Sequence, residues 1–204
     1  MIALRELTPD DAAALQRIYS PESTRFLGRR PMDAAEARKA ARDAAASAIQ
    51  SPRSVYVLGL DLDGDLLGII KLHLDRPVAT LSYILRVDAW GKGHATEAVR
   101  RILALGFGHL GLPEIHAKHH PDNPASGRVL LKAGFAPTGE HAGFTTYAIR
   151  PPQAAGSMPR AVLMLGLIDI HAAFNRIIGR AGPAHTAGPA AVRSRARGPT
   201  TRSG

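Results

Sequence analysis

The nine residues Trp-Gly-Lys-Gly-His-Ala-Thr-Glu-Ala, from Trp90 to Ala98, constrain this chain more than any other stretch. An apolar run, Leu81-Ser82-Tyr83-Ile84-Leu85-Arg86-Val87, precedes them and stops at Asp88. Apolar residues at helical spacing follow: Ala95, Val99, Ile102, Leu103, Gly106 and Leu110, with Glu97, Arg100, Arg101 and Gly108 expected to face outward. The pattern predicts a strand, a glycine loop and an amphipathic helix. A helix starting near Gly93 offers unpaired N–H groups and the positive end of its dipole, and glycines let a bulky anion approach that backbone closely. The loop is therefore suited to phosphate.

Two familiar phosphate loops are excluded by spacing. Lys92 does not stand in a G-x-x-x-x-G-K-[ST] sequence, and the third glycine of G-x-G-x-x-G is missing, with Thr96 or Glu97 in its place. Downstream come a short strand, Ile115 to His119, and then His120-Pro-Asp-Asn-Pro-Ala-Ser-Gly-Arg-Val-Leu-Leu-Lys-Ala-Gly-Phe135. Taken together these stretches resemble the GNAT superfamily of acetyl-CoA-dependent N-acetyltransferases, and most closely its branch of ribosomal-protein N-terminal acetyltransferases. The resemblance spans roughly the first three quarters of the chain. Gly93-His94-Ala95 match the second half of the family's Q/R-x-x-G-x-G/A loop, with Trp90 where Gln or Arg is usual. Asn123 and Ser126 match the branch's N-x-x-S, and Ala133-Gly134-Phe135 match the end of its following helix.

The elements around this core read in order. Ile2 to Leu7 alternates as a strand, and Thr8-Pro9-Asp10-Asp11 supplies an N-cap, a first-turn proline and acids for a helix through Tyr19. Residues 20–32 read as a loop, and Asp33 to Gln50 as an alanine-rich helix. Strands at Val55–Asp61 and Leu66–Asp75 flank Asp63-Gly64, a hairpin signal. A third strand covers 79–87, the crossover helix 93–110, and strands 135–140 and 144–149 close the sheet. This is an α/β (α+β) chain with a mixed, mostly antiparallel sheet and a β-α-β cofactor-binding core, the order of the GNAT fold. The expected organisation is a catalytic domain over 1–150, a linker over 151–160, an amphipathic helix over 161–179 and a basic, disordered tail over 180–204. The helix could cap the domain, pair with another subunit as a homodimer, or lie on a membrane surface.

Charge supports a cofactor reading over a nucleic-acid one. The net charge is +9, but residues 151–204 carry seven arginines and one aspartate, leaving +3 for residues 1–150. A modestly basic domain suits a polyanionic cofactor, and nucleic acid is expected to engage only the tail. The 45% hydrophobic content supplies a core. With no cysteine there is neither a disulfide nor a thiol nucleophile. No charged-then-apolar leader and no run of about 18 apolar residues is present, so a cytoplasmic chain without a membrane span is expected.

The resemblance implies acetyl-CoA as co-substrate and an amine acceptor, with no metal. His119-His120 with Asp122 match no usual zinc spacing. It places the cofactor phosphates on Lys92, Gly93, His94, Ala95 and Thr96, and the pantetheine arm on the main chain of Leu85 and Val87, where an N–H polarises the thioester carbonyl. Asn123 and Ser126 are expected at the cofactor, Asn123 serving also as helix cap before Pro124. Many members use a tyrosine four residues before the glycine of their Gly-Phe; here that position is Leu130, which leaves Ser126 to protonate the departing thiolate. For the base, a histidine suits deprotonation of an amine. His119 ranks first, with His73 and Tyr83 next, against a water chain with no single base. Tyr19, Phe26 and Arg29 read as surface and packing residues or, in the family's layout, as acceptor wall. The acceptor is a protein N-terminus or, alternatively, a small-molecule amine. A polyamine or aminoglycoside would want several acids, and Glu22, Asp33 and Glu36 are the few near the early loop. A third reading is a non-catalytic CoA-fold module with a nucleic-acid-binding tail.

Overall fold

The computed structural model describes residues 1–74 and 78–152. The linker beyond residue 152, the 161–179 helix and the 180–204 tail lie outside them. The elements are β1 (Ala3–Glu6), α1 (Ala12–Ile18), α2 (Pro21–Thr24), α3 (Ala34–Ala48), β2 (Val55–Leu62), β3 (Asp65–His73), β4 (Ala79–Leu85), α4 (His94–Ala104), β5 (Ile115–His119), α5 (Pro124–Lys132), β6 (Ala136–His141) and β7 (Phe144–Ile149).

Local chemistry sets the starts of several of these elements. The Asp33 carboxylate accepts from the N–H groups of Ala35 and Glu36 at 2.8 Å each, capping α3. Thr8 heads a 3-10 turn, Pro9–Asp11, that leads into α1, and its N–H donates to the Asp11 carboxylate at 2.7 Å. Asp63 and Gly64 both take positive φ, 52° and 89°, in the two-residue turn between β2 and β3. The Arg5 guanidinium ties β1 to both Asp11, at 2.7 Å, and Asp61, at 2.8 Å.

The seven described strands form one sheet in the order β1-β2-β3-β4-β5-β7-β6. Every pairing is antiparallel except β4 with β5, the parallel pair that α4 connects. Side-chain alternation divides the core into two layers. Ile70, Leu72 and Leu81 pack on one face with Val99 and Ile102 of α4 and Leu130 of α5. Ile69 and Ile84 turn to the other face, against Leu15 and Ile18 of α1 and Ala37, Ala41 and Ala44 of α3. Small alanines let α3 lie close to the sheet.

Three expectations are corrected. The loop 20–32 contains a one-turn helix, α2, because Ser20 caps it by accepting from the Ser23 N–H at 3.3 Å and Pro21 pre-sets its first turn. The crossover helix is α-helical only to Ala104. Leu105–His109 continues as a π-helical turn, with the Leu110 N–H bonding the Leu105 carbonyl, where Gly106 and Gly108 weaken the α ladder. Finally, β4 ends at Leu85 rather than Val87. Arg86 is held by Asp65 at 2.7 Å and Asp88 at 2.9 Å, and this folds Val87–Ala89 into a 3-10 turn.

Candidate active site

Strand pairing itself opens the site. Ala79, Thr80 and Leu81 of β4 pair with Ile115, His116 and Ala117 of β5, and the two strands then separate. The Arg86 N–H bonds back to Leu67 of β3 at 2.8 Å. By alternation, the main-chain groups of Leu85 and Tyr83 turn the opposite way, into the gap. The Trp90 indole N–H donates to the Leu85 carbonyl at 3.0 Å from that side. Trp90 thereby fastens the glycine loop to the strand end, a use for the residue that replaces the usual Gln or Arg.

Gly93 forms the N-cap of α4 in the left-handed region, φ 83°, with no side chain capping the helix. The first helical bond runs from the Glu97 N–H to the Gly93 carbonyl. The N–H groups of His94, Ala95 and Thr96 are thus left for an incoming anion.

A cleft of about 990 Å³ runs from this helix terminus through the β4/β5 gap to the loop after α2 and the β6–β7 hairpin. Its walls bring together Tyr83, Leu85, Gly93, His94, Ala95, Thr96, His119, Asn123 and Ser126. Val87 and Lys92 stand outside the wall; both are exposed, Val87 on the 3-10 turn and Lys92 at the loop tip. Of the early-loop candidates Phe26 lines the cleft, whereas Tyr19 and Arg29 line a separate hollow of about 240 Å³ beside Lys71.

At the waist of the cleft the Tyr83 hydroxyl lies 2.8 Å from Ser126 Oγ and 3.1 Å from the Ser126 carbonyl oxygen. Burial pushes the Tyr83 hydroxyl up to about 12, so it stays protonated at neutral pH. Asn123 Oδ1 accepts from the Ser126 N–H at 3.2 Å, fixing the first turn of α5 and the direction of Ser126. His119 is held at both nitrogens. Nδ1 lies 2.7 Å from the His120 carbonyl, which only accepts, so Nδ1 carries the proton. In the neutral ring Nε2 then accepts from the Tyr147 hydroxyl at 3.1 Å.

Leu130 is fully buried. It packs in the core with Ile102 and Ile115.

The sequence did not reveal Tyr147, Gly127 or Arg25. Tyr147 sits on an alternating strand that reads as ordinary β structure. Gly127 is where α5 passes His119; a Cβ there would lie 2.6 Å from His119 Nε2. Arg25 lines the mouth, its guanidinium 4.5 Å from the Phe26 ring centre.

Residues 2–136 match the family model described as Acetyltransferase (GNAT) domain. The chain is 31% identical over 144 residues to "Uncharacterized N-acetyltransferase YoaA" of Bacillus subtilis (strain 168), covering 68% of this chain and 81% of that protein. Among solved structures, RimJ of Mycobacterium smegmatis in complex with CoA-disulfide superposes with a TM-score of 0.64 at 22% identity, over 81% of this chain and 88% of that one. The aminoglycoside acetyltransferase AAC(6')-Ib in complex with coenzyme A does so with 0.62 at 19% identity, over 74% and 95%. The chain belongs to the GNAT acetyltransferase family and is an acetyl-CoA-dependent N-acetyltransferase.

Proposed function

We propose that this enzyme moves the acetyl group of acetyl-CoA to a primary amine at a protein N-terminus, by direct attack on the thioester. The observation that carries this reading is the continuous cleft, with free helix N–H groups at one end, the Tyr83–Ser126 pair at its waist and an open acceptor mouth at the other. The phosphates lie on the N–H groups of His94, Ala95 and Thr96, and pantetheine runs into the gap beside Leu85 and Tyr83. The neutral amine nitrogen forms a bond to the thioester carbonyl carbon. The carbonyl oxygen takes the negative charge and is stabilised by a main-chain N–H of β4. Collapse of this intermediate breaks the C–S bond, and the sulfur leaves with the electron pair.

Ser126 Oγ–H supplies the proton to that sulfur. When Tyr83 donates its proton to Ser126 Oγ, the serine proton is free to point into the cleft, and tyrosine restores the one that serine gives up. The new amide nitrogen loses its proton to water, and water returns a proton to Tyr83, so the cycle closes with both hydroxyls protonated. His119 is a positioning residue in this scheme, since its basic nitrogen already accepts from Tyr147.

A protein N-terminus is favoured over an aminoglycoside because none of the described residues lining the cleft is Asp or Glu. Incubation with acetyl-CoA and N-terminally free peptides should release CoA thiol and yield peptide acetylated at the α-amine. Cofactor binding with no transfer to any amine would instead support a binding module.

A further inference from the structure

The acceptor mouth is a row of rings flanked by cations. Phe26 stacks on His120 with centres 5.7 Å apart and planes 25° from parallel. Phe144 meets His120 edge-on at 6.0 Å. At one end the Arg25 guanidinium stands 4.5 Å from the Phe26 centre and 6.0 Å from Trp90. At the other end Lys118 Nζ stands 4.3 Å from Phe144. All six residues line the cleft.

Neither Arg25 nor Lys118 has a carboxylate partner among the described residues. The acids of the early segment are used elsewhere. Glu22 accepts from the Ser20 hydroxyl, Asp33 caps α3, and Glu36 bonds the Asp33 N–H and lies 3.8 Å from Arg29. The Asp122 carboxylate lies 3.7 Å from His120 Nδ1 at the centre of the row, but the two cations, held over aromatic faces with no counter-charge of their own, form a recognition site for an anion.

Resting on the acetyltransferase reading above, we infer that the acceptor is a primary amine carrying carboxylates within a few bonds of its nitrogen. Arg25 and Lys118 are the specificity-determining residues, and Phe26, His120 and Phe144 pack the intervening chain. The same cations raise the cost of a protonated amine at the mouth. They favour the neutral amine that attacks and repel polycationic acceptors. The carboxylates could belong to an acidic peptide N-terminus or to a free amino-acid-derived amine.

The test compares kcat/KM for Ser-Glu-Glu, Ser-Gln-Gln and Ser-Lys-Lys peptides of equal length, free glutamate and kanamycin. The wild-type enzyme should prefer the Glu peptide to the Gln peptide by about tenfold and to the Lys peptide by about a hundredfold, as two charge contacts of ordinary strength would give. Turnover of glutamate rather than peptide would assign the small-amine source. Arg25→Glu/Lys118→Glu should invert the peptide order, and Arg25→Gln/Lys118→Gln should flatten it. Acetyl-CoA titration of each variant reports whether fold and cofactor cleft persist. Transfer that ignores acceptor charge, that favours the Lys peptide or kanamycin, or that reaches no anionic amine would overturn this inference while leaving cofactor binding intact. Failure of the wild type to bind acetyl-CoA would overturn the underlying reading and this inference with it.

Discussion

Ser126→Ala should lower kcat about a hundredfold or more while leaving the Kd for acetyl-CoA within about threefold, the range expected for loss of a general acid. Ser126 lines the cleft, and its Oγ has a proton source beside it, the Tyr83 hydroxyl at 2.8 Å. Removing it leaves the C–S bond to break without a proton donor for the thiolate. Tyr83→Phe should show a smaller loss of the same kind, since serine keeps its own proton and loses only the relay. Ser126→Thr keeps the hydroxyl and should recover most of the rate. Single-turnover acetyl transfer with saturating cofactor measures this directly. A Ser126→Ala enzyme with unchanged kcat would remove serine from the chemistry.

Gly127→Ala should lower both stability and activity. In an exposed helix interior the same change gains about 1 kcal/mol. Here the added Cβ would lie 2.6 Å from His119 Nε2 and 3.2 Å from the Tyr147 hydroxyl. The imidazole cannot swing aside freely, because Nδ1 is held by the His120 carbonyl at 2.7 Å. Overpacking of this kind costs about 1–3 kcal/mol. The clash therefore outweighs the helix gain, and the melting temperature should fall by about 2–4 °C. Because α5 must lift, Ser126 moves with it and kcat falls too. His119→Ala in the Gly127→Ala background should restore part of the lost stability. A rise in melting temperature for Gly127→Ala alone would mean that the contact between α5 and His119 is looser than the geometry gives.

What could be read from the sequence was local. The Trp90–Ala98 loop, the Asn123 cap and the Asp63-Gly64 turn are each set by residues within a few positions of one another, and periodicity and capping rules reach that far. Helix α2 was equally local, since Ser20-Pro21-Glu22 repeats the cap, proline and acid of Thr8-Pro9-Asp10. A single turn is too short to show hydrophobic periodicity, so the stretch reads as loop. The strand end at Leu85 is not legible locally, because its cause is the clasp of Arg86 by Asp65, 21 residues earlier.

The site's side-chain partnerships are longer in range still. Tyr83 meets Ser126 across 43 positions, and His119 meets Tyr147 across 28. Nothing in either local sequence encodes those distances. The place of His119 at the end of the parallel strand points to a base, and only the fold shows that Tyr147 already uses its basic nitrogen. The mouth was half legible. Phe26 was singled out by the family's layout, but its pairing with His120 and the charges at either end depend on how α2 and the β6–β7 hairpin close over the sheet.

The most direct measurement is isothermal titration of the purified protein with acetyl-CoA, wild type beside Gly93→Asp. Gly93 holds φ 83° with open space around its missing Cβ. Aspartate tolerates that backbone region better than most residues, so the variant should fold. Its carboxylate would meet the pyrophosphate at the terminus of α4 and compete for the same N–H groups. Micromolar binding by the wild type, weakened at least about a hundredfold in the variant, is the predicted result. No binding by the wild type, or equal binding by both, would contradict the placement of acetyl-CoA at this loop.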